Sequence, residues 1–273
     1  MRAAAARGPS AEVENLRPER EVRPSVLIVG GFATVPLNYW PLRRRLLARG
    51  AARVDIAPLW TPDWVLGAML GVGSAMLRTG HAIAKTWRAA GRVPIIVVGH
   101  SAGGIVARLA LADKPFNGRV AGVAEQAGCL VTLGTPHGLD GLTNRYRHAG
   151  HAATAFLERA TPGSYFAPRT SYLSVGGRTP GAEFPGLVGD LANEVFSVAV
   201  GKETQALGDG IVPFSAVHLD GATKLTYDDV RHGMVGAPWY GDDVMLDRWW
   251  PVALDLWHAA LRARTEARLP AMA

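Results

Sequence analysis

The sequence carries a single cysteine, Cys129, among its 273 residues. That excludes a disulfide framework and a cysteine-rich zinc site. Long apolar runs are missing too, and none reaches the roughly 18 residues that a membrane helix requires. The nearest, Trp64 to Leu77, is interrupted by Gly67, Gly71 and Gly73, which favours a buried or interfacial helix. Lysine is confined to positions 85, 114, 202 and 224, so the excess of 29 Lys+Arg over 23 Asp+Glu, a formal net charge of +6, is mostly arginine. Its densest cluster, Arg43-Arg44-Arg45, runs into Leu46-Leu47 and reads as the charged side of an amphipathic helix. There is no basic stripe with interleaved aromatics, so a nucleic-acid partner is not expected. The charge at most helps the protein approach an anionic membrane surface. A Walker loop, a G-x-G-x-x-G and an H-E-x-x-H are absent as well, which removes support for nucleotide, dinucleotide and zinc-protease chemistry. No cofactor and no metal are expected.

What is present is a folded chain, with 48% hydrophobic and 19% charged residues. Residues 1–24 mix Ala, Arg, Glu, Pro and Gly without apolar periodicity or a secretory h-region, and read as a disordered tail to a cytoplasmic protein. From residue 25 to 273 the pattern is one domain. Val26 to Val29 is a continuously apolar run ended by Gly30-Gly31, as in a strand buried on both faces. Further strands are expected at Arg53–Ala57, Pro94–Val98, Cys129–Leu133, Tyr172–Val175 and Thr223–Tyr227. Helices are expected at Pro41–Arg49, Trp64–Ala90, Gly104–Ala112 and Asp243–Leu261, the last kinked or restarted at Pro251. This alternation predicts an α/β fold, a mostly parallel sheet flanked by helices. Ligands then sit at the carboxyl ends of the strands. Between the fourth and fifth strands, about 139–170, lies an insertion longer than an ordinary connection. Its helical pattern at Ala152–Arg159 and its Leu142, Tyr146, Phe156, Leu157, Tyr165 and Phe166 suit a small apolar cap. The plainer alternative is a surface helix packed on the body.

Gly99-His100-Ser101-Ala102-Gly103 is a G-x-S-x-G between the most apolar strand and a helix, the setting of a nucleophile elbow. Strand and helix pass so closely there that the positions two before and two after the serine must be small. The amide of Ala102, at the helix start, can hold an oxyanion. A serine hydroxyl needs a positioned base, itself oriented by an acid. His232 follows a strand and comes late in the chain, as the order Ser…Asp…His requires; His218, just before the same strand, is the alternative. His100 should point away from the site, and His137, in Gly134-Thr135-Pro136-His137, either lines it or props the strand end. Asp209, in Gly208-Asp209-Gly210-Ile211-Val212-Pro213, is the acid by order, although Asp between glycines also marks a plain turn; Asp190 is the alternative. Asp228 and Asp229 stand too near His232 in sequence. The second oxyanion amide is expected in the loop after the first strand, at Phe32 of Gly30-Gly31-Phe32-Ala33.

These residues together resemble the α/β-hydrolases of the lipase branch, over most of the chain from Val26 to the final helix. The resemblance rests on Val-Gly-Gly-Phe at 29–32, Gly-His-Ser-Ala-Gly-Gly-Ile-Val-Ala-Arg at 99–108, Leu-Gly-Thr-Pro-His at 133–137, Gly-Asp-Gly-Ile-Val-Pro at 208–213 and Ser-Ala-Val-His-Leu-Asp-Gly-Ala at 215–222. It is similar to bacterial triacylglycerol lipases, and more so to lipase-like hydrolases of cyanobacteria and plants, which carry segments like Arg231-His232-Gly233 and Trp239-Tyr240-Gly241. It implies Ser101 as nucleophile, Asp209 as acid, His232 as base, Phe32 and Ala102 as oxyanion donors, and a lipid or other apolar acyl ester as substrate. Two departures stand out. Such lipases usually have His-Gly where this chain has Gly30-Gly31, and that histidine props the oxyanion loop. Secreted ones often hold calcium near the catalytic His, for which Gly233-Met234-Val235-Gly236 offers no ligand. The same triad could pass the acyl group to an alcohol other than water, and a non-catalytic binding protein is a third possibility.

Overall fold

The computed structural model describes residues 22–32, 34–138, 147–179, 207–234 and 238–267. Six strands form one sheet: β1 (Ser25–Val29), β2 (Arg53–Ile56), β3 (Ile95–His100), β4 (Ala127–Leu133), β5 (Ser171–Gly177) and β6 (Thr223–Tyr227). Their spatial order is β2-β1-β3-β4-β5-β6 and every pairing is parallel. All six fall where the sequence pattern predicts them. β1, β3 and β4 are buried along their whole length, which explains why they read as continuous apolar runs rather than as alternation.

Alternate residues of these strands serve two cores. Leu27, Val29, Ile95, Val97 and Leu130 face one cluster, covered by α2 (Thr61–Leu70), α3 (Gly73–Ala89), α4 (Ala102–Leu111) and α5 (Arg147–Ala160). Val26, Ile28, Ile96, Val98, Cys129 and Val131 face the other, covered by α1 (Trp40–Ala48) and the last helix. A one-turn α6 (Phe214–Val217) precedes β6, and α7 (Asp243–Glu266) closes the fold. Tryptophans on α7 bury their rings and still satisfy their indole N–H groups. Trp249 donates to the Tyr240 carbonyl at 2.9 Å and Trp257 to the Pro94 carbonyl at 2.7 Å. Near its end the Arg264 guanidinium reaches the carbonyls of Arg169, Glu125 and Ala127, tying the helix to the start of β4.

Two helices differ from their sequence reading. The stretch Trp64–Ala90 is divided, because Gly71 takes a left-handed φ of 89° and ends α2 before α3 begins. α7 is one helix that contains Pro251. Asp190, Leu142, Tyr146 and most of the 1–24 tail lie outside the described residues. The described part of the expected cap, α5, sits on the body through the fully buried Ala153 and Leu157, and Phe156 packs on Phe116 with ring centroids 5.2 Å apart. No helix among the described residues is long and apolar enough to cross a membrane.

The crossing of β3 and α4 sets the site. A Cβ on Gly103 would enter the carbonyls of Val29 and Gly30, and one on Gly99 would lie 2.5 Å from the Gly104 Cα. These partners are backbone and cannot swing aside. Gly103→Ala should therefore destabilise the fold by about 3 kcal/mol or more, read as a shift of the urea midpoint; a change under about 1 kcal/mol would contradict the packing.

Candidate active site

The elbow residue Ser101 sits at φ 54° and ψ −132°, a region costly to any residue but glycine, by about 1–3 kcal/mol. Three bonds hold it there. Its N–H donates to the Leu133 carbonyl at 2.9 Å, and its carbonyl accepts the Thr135 hydroxyl and the Gly104 amide, both at 3.0 Å. Ser101 and Ala102 are partly exposed, whereas the rest of α4 is buried.

Asp209 is fully buried, and each carboxylate oxygen has two donors. Oδ1 accepts the amides of Ile211 at 3.1 Å and Val212 at 2.8 Å. Oδ2 accepts His232 Nδ1–H at 2.8 Å and the Tyr240 hydroxyl at 2.7 Å. Burial alone would push this carboxyl up; His232, Tyr240 and the Val212 amide outweigh that and hold it below the usual carboxylate range. The Gly-Asp-Gly segment is a turn that also brings Asp209 against His232. The loop is a tight turn, with Gly210 at φ 97° and the Asp side chain closing it on the amides two and three residues on, and that turn leaves Oδ2 for the histidine. Since a carboxylate oxygen can only accept, His232 carries a proton on Nδ1. A main-chain bond, His232 N–H to the Asp209 carbonyl at 2.9 Å, fixes the pair further.

The Asp209–His232 pair rests on the end of β4 beside the elbow. Gly134, next to the Leu133 that holds Ser101, has φ 55°, and a Cβ there would lie 2.6 Å from Asp209 Oδ2 and 3.1 Å from His232 Nδ1. The rings of His100 and His232 are 4.8 Å apart between centroids. Among the described residues Ser101 Oγ has no hydrogen-bond partner, whereas Asp209 and His232 are paired. His218 instead pairs with the Thr226 hydroxyl at 2.9 Å. Asp228 and Asp229 pair with Arg178 and Arg248 at the surface.

The loop after β1 passes directly over the elbow. A Cβ on Gly31 would lie 2.7 Å from Ser101 Cβ and 3.0 Å from the His100 carbonyl. The N–H of Phe32 has no acceptor among the described residues, and the Ala102 N–H, at the first position of α4, has none within the helix. Nor could a histidine stand at position 30: a Cβ there would lie 2.5 Å from the Tyr39 ring. Tyr39 takes over the propping, its hydroxyl accepting the Gly31 N–H at 2.8 Å.

Sequence reasoning missed Tyr39 and Tyr240 because an aromatic residue does not announce a partner far along the chain. The one signal was the Trp239-Tyr240-Gly241 segment. Tyr240→Phe removes one of the two donors on Asp209 Oδ2 while keeping the ring. It should cost about 1 kcal/mol of stability and lower kcat about 10-fold with KM unchanged; steady-state kinetics beside urea unfolding decide it.

His137 proves to be part of a buried polar chain. Arg108 donates to its Nδ1 at 3.3 Å, which leaves the proton on Nε2, and Nε2–H reaches the Thr132 hydroxyl at 3.1 Å. It also borders a cavity of about 210 Å³ whose other walls are Gly138 and the polar side of α5, including His151, Glu158 and Arg159. Both interior histidines stay neutral. Burial, reinforced by His232, pushes His100 down to about 3, and burial beside Arg108 holds His137 well below the usual imidazole range. Below the ordinary value of about 6.5 the unfolded chain binds protons that the folded chain refuses. Stability is therefore whole above about pH 6.5 and falls as the pH drops toward the folded values, by roughly 1 kcal/mol per pH unit for each histidine. Urea unfolding at about pH 7.5 and pH 5 reads this slope, and His137→Gln should flatten it. Among the described residues no group of three or more His, Cys, Asp or Glu gathers as a metal site.

A family model described as the PGAP1-like alpha/beta domain matches residues 81–151, which span β3, the elbow, α4 and β4. No curated protein matches the sequence significantly. Solved structures do match. The mature lipase BlEst2 of Bacillus licheniformis is 16% identical with a TM-score of 0.57, over 87% of this chain and 93% of that one. The metagenomic carboxyl esterase MGS0156 is 18% identical with a TM-score of 0.51, over 98% of this chain and 82% of that one. At such identities the likeness is one of fold.

Proposed function

We propose that this chain, which has the fold of the α/β-hydrolase superfamily, is a serine carboxylic-ester hydrolase acting on an apolar acyl ester. The observation that carries the reading is the buried Asp209–His232 pair, held against the elbow that projects Ser101. In the reaction, Ser101 Oγ attacks the acyl carbonyl while its proton passes to His232 Nε2. The amides of Phe32 and Ala102 hold the oxyanion. The tetrahedral adduct collapses, the C–O bond to the alcohol breaks, and His232 returns the proton to the leaving oxygen. Water, deprotonated by the same nitrogen, then releases the acid and restores Ser101. Asp209 stays ionised, orienting His232 and stabilising the imidazolium.

An apolar acyl group is favoured by the surroundings of the loop. The Phe32 ring meets the Trp64 ring edge-on at 6.2 Å, and Trp64 lies on α2, whose outer side exposes Val65, Leu66 and Leu70. Hydrolysis of a chain-length series of p-nitrophenyl esters, with product analysis in the presence of competing alcohols, tests the substrate class and separates hydrolysis from acyl transfer. Preference for acetyl over longer acyl groups would overturn the apolar assignment.

A further inference from the structure

The oxyanion loop and the segment that carries His232 lie at opposite ends of the chain, yet one line of hydrogen bonds joins them beneath the elbow. It runs from Gly31 N–H to the Tyr39 oxygen (2.8 Å), from Tyr39 to His100 Nδ1 (2.9 Å), and from His100 Nε2 to the His232 carbonyl (3.1 Å). Each proton can be assigned. The His232 carbonyl can only accept, so His100 Nε2 carries the ring proton. His100 is buried and neutral, so Nδ1 is bare and takes the Tyr39 proton. Having given its one proton, the Tyr39 oxygen accepts from Gly31. Trp239 packs edge-on against both rings, at 6.5 Å from Tyr39 and 5.7 Å from His100. A neutral His100 also adds no repulsion when its neighbour His232 becomes an imidazolium during turnover.

We propose that Tyr39 and His100 are positioning residues: they hold the Gly31 backbone at one end and the His232 backbone at the other, so that the oxyanion amides and the base keep one register about Ser101. The inference rests on the ester-hydrolase reading and deepens it. Neither residue touches substrate. Both act through the backbone they fix, which matters because an oxyanion donor serves only when it is aimed in advance at the developing charge.

The test compares wild type with Tyr39→Phe, His100→Gln, His100→Leu and the double variant Tyr39→Phe/His100→Leu. The measurements are kcat and KM on a soluble p-nitrophenyl ester, inhibition by a trifluoromethyl ketone, the rate of Ser101 labelling by a fluorophosphonate, and the urea midpoint. Tyr39→Phe keeps the ring and should fold. It is expected to lower kcat about 10- to 100-fold with KM within about twofold, and to weaken the ketone by the same factor as kcat. Glutamine at position 100 offers one donor and one acceptor and should retain more activity than leucine. The double variant should be no worse than His100→Leu alone, because the two act as one line. Wild-type labelling and turnover in Tyr39→Phe, or losses that simply multiply in the double variant, overturn the proposal while a labelled Ser101 keeps the proposed function standing. Loss that follows the urea midpoint, without separating kcat from KM, also overturns it in favour of a structural role. Wild-type protein that neither labels nor hydrolyses any ester overturns the function and the proposal with it.

Discussion

Ser101→Ala should lower ester hydrolysis by at least about 10³-fold and abolish fluorophosphonate labelling, while the protein still folds. The size follows from the proposed role: removing a nucleophile would leave only what the proposed oxyanion amides and substrate binding supply. The preserved fold follows from the contacts, since everything that holds residue 101 is backbone: its N–H on Leu133, and its carbonyl under Thr135 and Gly104. Ser101→Gly makes a sharper comparison. It should be equally inactive, but it relieves a φ of 54°, worth about 1–3 kcal/mol, against an entropic cost of about 0.5–1 kcal/mol. The glycine variant should thus unfold at higher urea than the alanine variant, by about 1 kcal/mol. Turnover surviving in either variant would place the chemistry elsewhere.

That strain could be expected from the sequence, because a serine between a buried strand and a glycine-flanked helix has few other conformations. The parallel sheet was legible for a similar reason: strands buried on both faces must be mostly apolar, and β1, β3 and β4 carry only Ser25, His100 and Thr132 as exceptions. The break at Gly71 was not, because a glycine inside a helical pattern is tolerated as often as it stops one. In the site, Asp209 and His232 were placed by order along the chain and by the glycines around them. Tyr240, Tyr39 and the polar use of His100 were not, because each depends on a contact between segments far apart in sequence. His100 turns its Nε2 to the His232 carbonyl, with the two rings 4.8 Å apart. The absent loop histidine is a matter of volume: Gly30 is small because the Tyr39 ring fills the space beside it.

Asp209→Asn should lower kcat by about 10⁴-fold with little change in KM, a larger effect than its near-identical shape suggests. In the wild type Oδ1 is committed to the amides of Ile211 and Val212, so an asparagine keeps its carbonyl oxygen there. Its NH2 then replaces Oδ2 and meets two donors, His232 Nδ1–H and the Tyr240 hydroxyl. The site can relieve the first conflict in one way: His232 moves its proton to Nε2 so that Nδ1 can accept. The histidine remains in place but now presents N–H toward Ser101 and cannot take its proton. The Tyr240 hydroxyl is left facing an N–H in the interior, which adds about 1–3 kcal/mol of instability. Two readouts separate this account from simple unfolding. Nitrogen NMR of labelled His232 should report the proton on Nε2 in the variant and on Nδ1 in the wild type. The double variant Asp209→Asn/Tyr240→Phe, which removes the second conflict, should regain stability without regaining activity. If Asp209→Asn retained more than about a tenth of wild-type kcat, Asp209 would be the closing residue of a turn and no more.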